Sequence, residues 1–249
     1  MSASRLAVAS EAHDPRCEGF YSLWSPLPDD CLETIDTDRP HQTDTPHVVP
    51  AGHLQLESAV GALAIGEGSK HLVFLENAYR VGLFTRIEFQ LTFKLLDYVP
   101  DAHRFDPPGP LGVRAKLNIL EEDGWVPAVT IVPWIFIPVS SSETLRGGPF
   151  LFWGWALPFD LELEMNAGVL FGADPKPPAA LVLASALTYT IGGAFRVFID
   201  IYATGRDVAL GTGALWAFEE DMQIDAGTYI GVHGEEPTAT PFLGFSIRR

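Results

Sequence analysis

The sequence predicts an all-β fold: a single antiparallel transmembrane β-barrel of about twelve strands, preceded by an irregular N-terminal arm. Three observations carry this. From residue 50 onward, apolar and polar residues alternate with period two. The alternating segments are long, most of them near the roughly 9–11 residues of a tilted membrane strand rather than the roughly 5–6 of a soluble one. The links between them alternate between short and longer, as in barrels with tight turns on one rim and loops on the other.

Composition sets the outer bounds. The chain has 249 residues, 47% hydrophobic and 19% charged, with 32 acidic residues against 16 basic ones and a formal net charge of -16. That length holds one large domain or two small ones. The apolar content is too high for a disordered chain, and the acidity argues against nucleic-acid binding, which needs a basic footprint. Cys17 and Cys31 are too few for a disulfide scaffold or a structural zinc site. The longest apolar run, Val126 to Val139, is shorter than a membrane helix needs. It contains Pro127, Pro133 and Pro138 and many β-branched residues, so it reads as a strand with prolines.

Residues 1–49 form the arm, rich in Asp, Pro and Thr and without a sustained period. Ala7-Val8-Ala9, just before Ser10-Glu11-Ala12, resembles a small-x-small cleavage site, and a plain Ala-rich terminus accounts for the same residues equally well. No apolar leader core precedes it. Cys17 and Cys31 close a loop in an oxidising compartment and stay free in the cytosol. Residues 50–249 supply the barrel, with strands expected at 53–65, 71–82, 86–98, 110–120, 126–138, 149–157, 160–171, 179–190, 194–204, 207–217, 221–231 and 240–248. The third is the cleanest. Ile87, Phe89, Leu91, Phe93 and Leu95 alternate with Glu88, Gln90, Thr92 and Lys94, so one face is apolar and the other polar. Residues 111–119 and 160–169 repeat the pattern.

Short turns are expected at residues 83–85, 121–124, 158–159, 192–193 and 219–221. Mostly longer links run over Gly66 to Lys70, Val99 to Gly109, Ser140 to Gly148, Gly172 to Pro178, Thr204 to Arg206 and Val232 to Thr240. An even strand count puts both termini on the short-turn rim. Tyr98, Trp125, Trp153, Trp155, Tyr189, Tyr202, Trp216 and Tyr229 sit near strand ends, where interfacial girdles would place them. Alternation alone does not say which face is wet, because a soluble sandwich alternates too. Long strands, unequal links and charges of both signs on the polar face favour the inside-out arrangement.

On that arrangement Glu88, Lys94, Arg114, Lys116, Glu162, Glu164, Arg196 and Asp200 line the lumen. Their mixed signs indicate neither an anion-selective nor a cation-selective pore. They serve a solute path or an interior network that fills and stiffens the barrel. Twelve strands fall between the roughly 8 whose side chains fill the interior and the 16–18 that leave an open channel. Open or plugged is therefore undecided, and the arm is long enough to enter the lumen. Asp36, Asp38 and Arg39 are expected to pair locally or to dock the arm near the barrel mouth. His41, Asp44 and His47 have a helical ligand spacing, but Pro40, Pro46 and Pro50 bracket them and argue against a metal site. Glu162 and Glu164 share a strand face without a His or Ser partner nearby, and His103 and His233 fall in loops. With no phosphate-binding loop and no nucleophile elbow, no catalytic residue, metal or cofactor is expected.

Several segments carry a family resemblance. Asp36-Thr37-Asp38-Arg39-Pro40, His41 to Pro46 and Val49 to Glu57 resemble the opening "T-x-R-P-x-x-T-x-S/T-P … V-P-x-G-x-x-Q-x-E" of the meta-pathway of phenol degradation family of outer-membrane barrels. Arg80 to Glu88 is similar to its "Y-G-L-T-D-R-L-E", and Leu117 to Pro127 to its "Y-R-L-L-E-E-D-G-x-x-P". Gln223 to Gly227 and Gly244 to Arg248 resemble its closing "Q-L-D-x-G … G-x-S-x-R". The resemblance spans residues 36–249. It implies a non-enzymatic channel in the outer membrane of a Gram-negative bacterium, surrounded by lipid and passing small solutes, hydrophobic or aromatic compounds among them. A barrel-anchored enzyme and a non-transporting structural barrel stand as alternatives, and the oligomeric state is open. The chain departs from the pattern at Thr85-Arg86, in lacking a complete leader, and at Arg248-Arg249, where outer-membrane strands commonly close on an aromatic residue.

Overall fold

The computed structural model describes residues 14–66, 69–140, 144–172, 179–234 and 237–249. The Ala7-Val8-Ala9 segment lies outside them. Twelve long strands make the barrel: β1 (Leu54–Gly66), β2 (Ser69–Phe84), β3 (Ile87–Val99), β5 (Leu111–Leu120), β6 (Ala128–Ile137), β7 (Arg146–Leu157), β8 (Leu161–Phe171), β9 (Ala179–Ile191), β10 (Phe195–Thr204), β11 (Asp207–Glu219), β12 (Met222–His233) and β13 (Thr240–Arg248). A short strand, β4 (Arg104–Asp106), pairs with the far end of β3 outside the ring. Each long strand is antiparallel to its neighbours, and β1 closes the ring on β13. Closure leaves no free edge to satisfy. All twelve predicted segments correspond to these strands. Among the described residues no helix is long and apolar enough to cross a membrane.

Burial settles which face is wet. Glu88, Gln90 and Lys116 point inward and are completely buried, whereas Ile199 and Leu181 point outward and are 61% and 55% exposed. A soluble sandwich would show the opposite. The apolar face is the outer face of the barrel, and the charged face encloses the lumen.

The rims differ less than the sequence suggests. Two residues separate β1 from β2 and two separate β10 from β11, although both links were expected among the longer ones. Gly205, at φ 62°, lets the chain reverse within the second of them. The link 121–127, on the opposite rim, is longer than its neighbours and is closed by mutual hydrogen bonds of Asp123 and Val126. The asymmetry rests on the links 100–110, 138–145, 172–178 and 234–239. The first strand begins and the last ends on the turn rim, where Leu54 and Arg249 exchange backbone hydrogen bonds.

Two local features break the regular pattern. In β3 the alternation slips by one after Lys94, because Leu75 and Leu95 drop out of the β2–β3 ladder. Leu95 and Leu96 are both exposed, and Asp97 and Val99 turn inward. In β6 and β7, Pro133 and Pro149 stand opposite one another. Neither has an N–H, and the regular pairing is interrupted beside each, against β5 and against β8. Tyr202 and Tyr229, expected in an outer girdle, instead point into the lumen. Tyr202 packs against the inward cluster formed by Val132, Phe150, Phe152, Leu170 and Val182, and the Tyr229 hydroxyl donates to the Pro40 carbonyl.

Candidate functional site

The arm crosses the inside of the barrel. Residues 14–34 sit under the turn rim, tied by the Cys17–Cys31 disulfide and by hydrogen bonds from Tyr21 N to Thr85 Oγ1 (2.8 Å), Leu23 N to Leu83 O (2.9 Å) and Leu27 N to Ala51 O (3.0 Å). The chain enters at Ile35, whose N–H donates to Glu220 O at that rim. It climbs to mid-height, where Gln42 N donates to Asp200 Oδ2 (2.7 Å) and Asp44 N to Asn166 Oδ1 (2.6 Å). It then returns past Glu88, which accepts from Val49 N (2.7 Å), and leaves beside Gly82. A Cβ on Gly82 would lie 2.1 Å from Pro50 O, so only glycine admits the arm here. Wall side chains satisfy backbone groups of an irregular segment that has no ladder of its own.

Ion pairs lock the arm at its middle. Asp38 accepts from Lys116 Nζ (2.5 Å) and Arg114 (2.8 Å) and lies 3.5 Å from Arg80. Arg80 is also held by Glu57 (2.6 Å) and by Glu88 (2.7 Å). Arg114 reaches on to Asp44 (2.7 Å), and Lys116 donates to the Thr45 (2.7 Å) and His47 (3.2 Å) carbonyls. Three buried cations therefore meet four carboxylates, two from the arm and two from the wall. Burial alone would raise the Asp38 pKa, but the charges of Arg80, Lys116 and Arg114 outweigh it and hold the carboxyl below the usual range. Asp36 behaves likewise: burial opposes, and His47, Arg196 and the Thr45 hydroxyl prevail.

The arm divides the lumen into two cavities. The loop-side cavity, about 570 Å³, has Arg39, Pro40, His41, Gln42 and Asp44 as its floor and an aromatic wall. Trp134 packs against Phe136 (4.5 Å between centroids) and Phe150 (5.5 Å), and Tyr229 stacks on Phe242 (5.2 Å). The Arg114 guanidinium lies over the Trp134 ring at 4.5 Å. The turn-side cavity, about 720 Å³, has the charged or titratable groups Asp36, His47, Glu162, Glu164, Arg196 and Arg248 on its walls, set among apolar residues such as Ile35, Val49 and Trp155.

All eight residues assigned to the lumen from sequence point inward, but they do not form one group. Glu88, Arg114 and Lys116 belong to the central network. Lys94 lies in the loop-side cavity on Asp97 (2.6 Å). Arg196 binds Gln223 (2.8 Å), and Asp200 receives the arm at Gln42. Glu162 and Glu164 face the turn-side cavity, and His41, from the floor of the loop-side cavity, brings Nε2 to 3.3 Å from Glu164. Asp36, Asp38 and Arg39 neither pair with one another nor stop at the mouth. Arg39 crosses to Asp225 (3.2 Å), Asp36 accepts from Thr45 Oγ1 (2.8 Å), and Asp38 takes the three wall cations. His41, Asp44 and His47 point to separate partners. His71, Asp97 and Asp106 lie close enough together to hold a metal ion, but Asp97 is already bound by Lys94 and His71.

The family described as "Putative MetA-pathway of phenol degradation" matches residues 37–248. The chain belongs to that family. No curated protein matches it in sequence. Among solved structures it is similar to an outer-membrane channel from Pseudomonas putida F1 (TM-score 0.58, 10% identity, 79% of this chain and 94% of that one). It is also similar to the NanC porin (0.54, 13%, 78% and 98%) and to the KdgM porin in complex with disordered oligogalacturonate (0.50, 11%, 78% and 96%). At these identities the likeness is one of fold.

The motif residues that carry the family resemblance are those that seat the arm. Thr37, Asp38 and Arg39 come from the arm. Gln55, Glu57, Arg80, Glu88, Gln223, Asp225 and Arg248 come from the wall and bind it or one another. Arg248, buried and bonded to Asp221 and the Glu33 carbonyl, explains the charged C-terminal strand end: it faces the lumen. Arg80 and Glu57 were missed as lumen residues, although each holds the polar phase of an alternating segment, which is the signal that finds the others.

Proposed function

We propose that this protein is an outer-membrane channel for small solutes, hydrophobic or aromatic compounds among them, whose N-terminal arm narrows the bore. The observation that carries the reading is the division of the lumen: a cavity with an aromatic wall on the loop side and a second cavity on the turn side, with the arm between them. An apolar solute leaving water gains on entering the first cavity, by roughly 25 cal/mol for each Å² of apolar surface covered. Passage beyond it requires the arm to shift, since the central ion pairs fill the middle. The apolar outer face gives the barrel a reason to sit in lipid. The Cys17–Cys31 disulfide beside the turn rim suits an oxidising periplasm, which orients the loops outward. No step of this process needs bond making, so the reading is non-enzymatic, in the outer membrane of a Gram-negative bacterium.

The test is reconstitution into planar bilayers, comparing the full chain with one lacking residues 1–49. The full chain is expected to conduct weakly and the shortened one in large steps, and an aromatic solute added on the loop side should reduce the current in both. Replacing Trp134 and Phe150 by Ala should remove that block. If neither chain conducts or takes up any solute, the buried network is a filling and the protein is a structural barrel.

A further inference from the structure

The turn rim carries an outward set of aromatic side chains over most of its circumference. Trp125 in the β5–β6 link and Phe159 in the β7–β8 turn are almost fully exposed, and Tyr189, Phe195 and Trp216 mark the ends of β9, β10 and β11. Across β13, β1 and β3 the set is interrupted. The outward residues nearest this rim are Ile247, Leu54 and Ile87, which are aliphatic, and β2 ends in Phe84 alone.

The N-terminal segment lies over this gap. Ser22 pairs with Phe84, and Phe20 stacks on the Phe84 ring with 5.7 Å between centroids. Phe84 pairs with Ile87, so both rings stand on the outer side of the barrel. Tyr21, between Phe20 and Ser22, faces the other way and lines the turn-side cavity. Trp24 tops a tight turn closed by mutual Ser22–Ser25 hydrogen bonds. Phe20 and Trp24 are 77% and 83% exposed. Two large rings held at this level by a disulfide-closed segment cost apolar exposure that nothing else among the described residues relieves. An apolar hollow runs between Phe20, Phe84 and Ile87, with the Arg86–Glu121 ion pair (3.0 Å) at its edge. A wall that is apolar on one side and charged on the other matches the boundary between acyl chains and headgroups, where Trp is favoured.

We propose that residues 20–24 are an interfacial lipid anchor: Phe20 and Trp24 enter the leaflet at the turn rim and complete the aromatic set across β13–β3. The occupant is phospholipid, because Phe20 continues an outer face that is already apolar and Trp24, in the same disulfide-closed loop, is left exposed. The inference rests on the membrane-spanning reading. Anchoring fixes the lower end of the arm, so that only the stretch from Ile35 to Pro50 is left to move within the lumen.

The test uses the full chain in vesicles of dioleoyl phosphatidylcholine and in vesicles of the same lipid brominated on the upper acyl chain. The difference in emission between the wild type and Trp24→Phe isolates Trp24 from the other five tryptophans. The expected result is a Trp24 contribution reduced about twofold or more by bromine and protected from aqueous iodide. A Trp24 contribution that ignores bromine and yields to iodide, while Trp153 and Trp216 on the outer face are quenched, overturns the anchor and leaves the barrel in its membrane. A protein partner or a second copy at this surface would also leave bromine without effect. If no tryptophan senses bromine, the membrane reading fails and the anchor with it.

Discussion

Asp38 is the residue on which the most interactions converge. Its carboxylate faces Arg80, Arg114 and Lys116 inside a packed interior, and removing one partner of such a set costs about 3–5 kcal/mol because the remaining charges stay buried. Asp38→Asn is therefore expected to free the arm. Deuterium exchange should accelerate in peptides covering residues 36–50 and stay unchanged in β8–β12. Unchanged exchange in the arm would show that the ion pairs do not hold it. The acid dependence follows from the same carboxyl. Its pKa lies below the ordinary 3.8, as does that of Asp36, so the stabilisation is present above 3.8 and is lost as pH falls through the lowered values. The arm should keep its exchange protection from neutral pH down to about 4 and lose it only in stronger acid. Loss of protection well above pH 4 would show that these two carboxylates do not set the acid limit of the arm. At this scale the sequence showed most of the wall residues that face inward, since period two marks them, but not Asp97 and Val99, which lie beyond the slip in β3. It did not show partners: Asp38 and Lys116 are far apart in the chain and meet only because the arm folds back into the ring.

At the scale of the strand, the outer and inner faces should respond oppositely to the same chemistry. Leu91 lies on the outer face as the fifth residue of β3 counted from the turn rim, near mid-height. Leu91→Arg should cost roughly 2–4 kcal/mol in equilibrium unfolding from lipid vesicles, the penalty for a charge near the bilayer midplane. Gln90→Ala should act through different physics. It strips a donor to Asp38 (3.0 Å) and an acceptor from Arg114, at about 1–3 kcal/mol, and it should also loosen the arm, which Leu91→Arg should not. A tolerated Leu91→Arg would reverse the assignment of faces. Strand positions were legible because each long strand must bury one face and satisfy the other, which fixes the period. Link lengths were less so. Thr204-Gly205-Arg206 and Gly66 to Lys70 look loop-like in composition, yet the strands run on almost to the turn, and composition does not record where a ladder stops. The slip after Lys94 was invisible for the same reason: Leu95-Leu96 reads as an apolar pair until the opposing Leu75 is known.

For the whole molecule, the barrel and the arm are separable in a way that the single residue is not. In Asp38→Asn the loosened arm stays within the lumen and leaves Lys116 buried without a carboxylate, while Arg80 keeps Glu57 and Glu88 and Arg114 keeps Asp44. Deleting residues 1–49 admits water to solvate Arg114 and Lys116, while Arg80 retains Glu57 and Glu88, and Arg196 retains Gln223. The shortened chain should thus still close into a barrel that migrates anomalously on an unheated gel. Its lumen changes composition in a defined direction. The arm takes with it the carboxylates of Asp36, Asp38 and Asp44 and the guanidinium of Arg39, and leaves Arg114 and Lys116 exposed to the bore. Anions should then be relatively favoured. In a salt gradient across a planar bilayer, the reversal potential of the shortened channel should move toward the anion side of the full-length value, and the shift should shrink as ionic strength shortens the reach of these charges. A shift toward cations would mean that Glu57, Glu88, Glu162 and Glu164 dominate the emptied lumen. The arm's carboxylates would then not be what balances the wall.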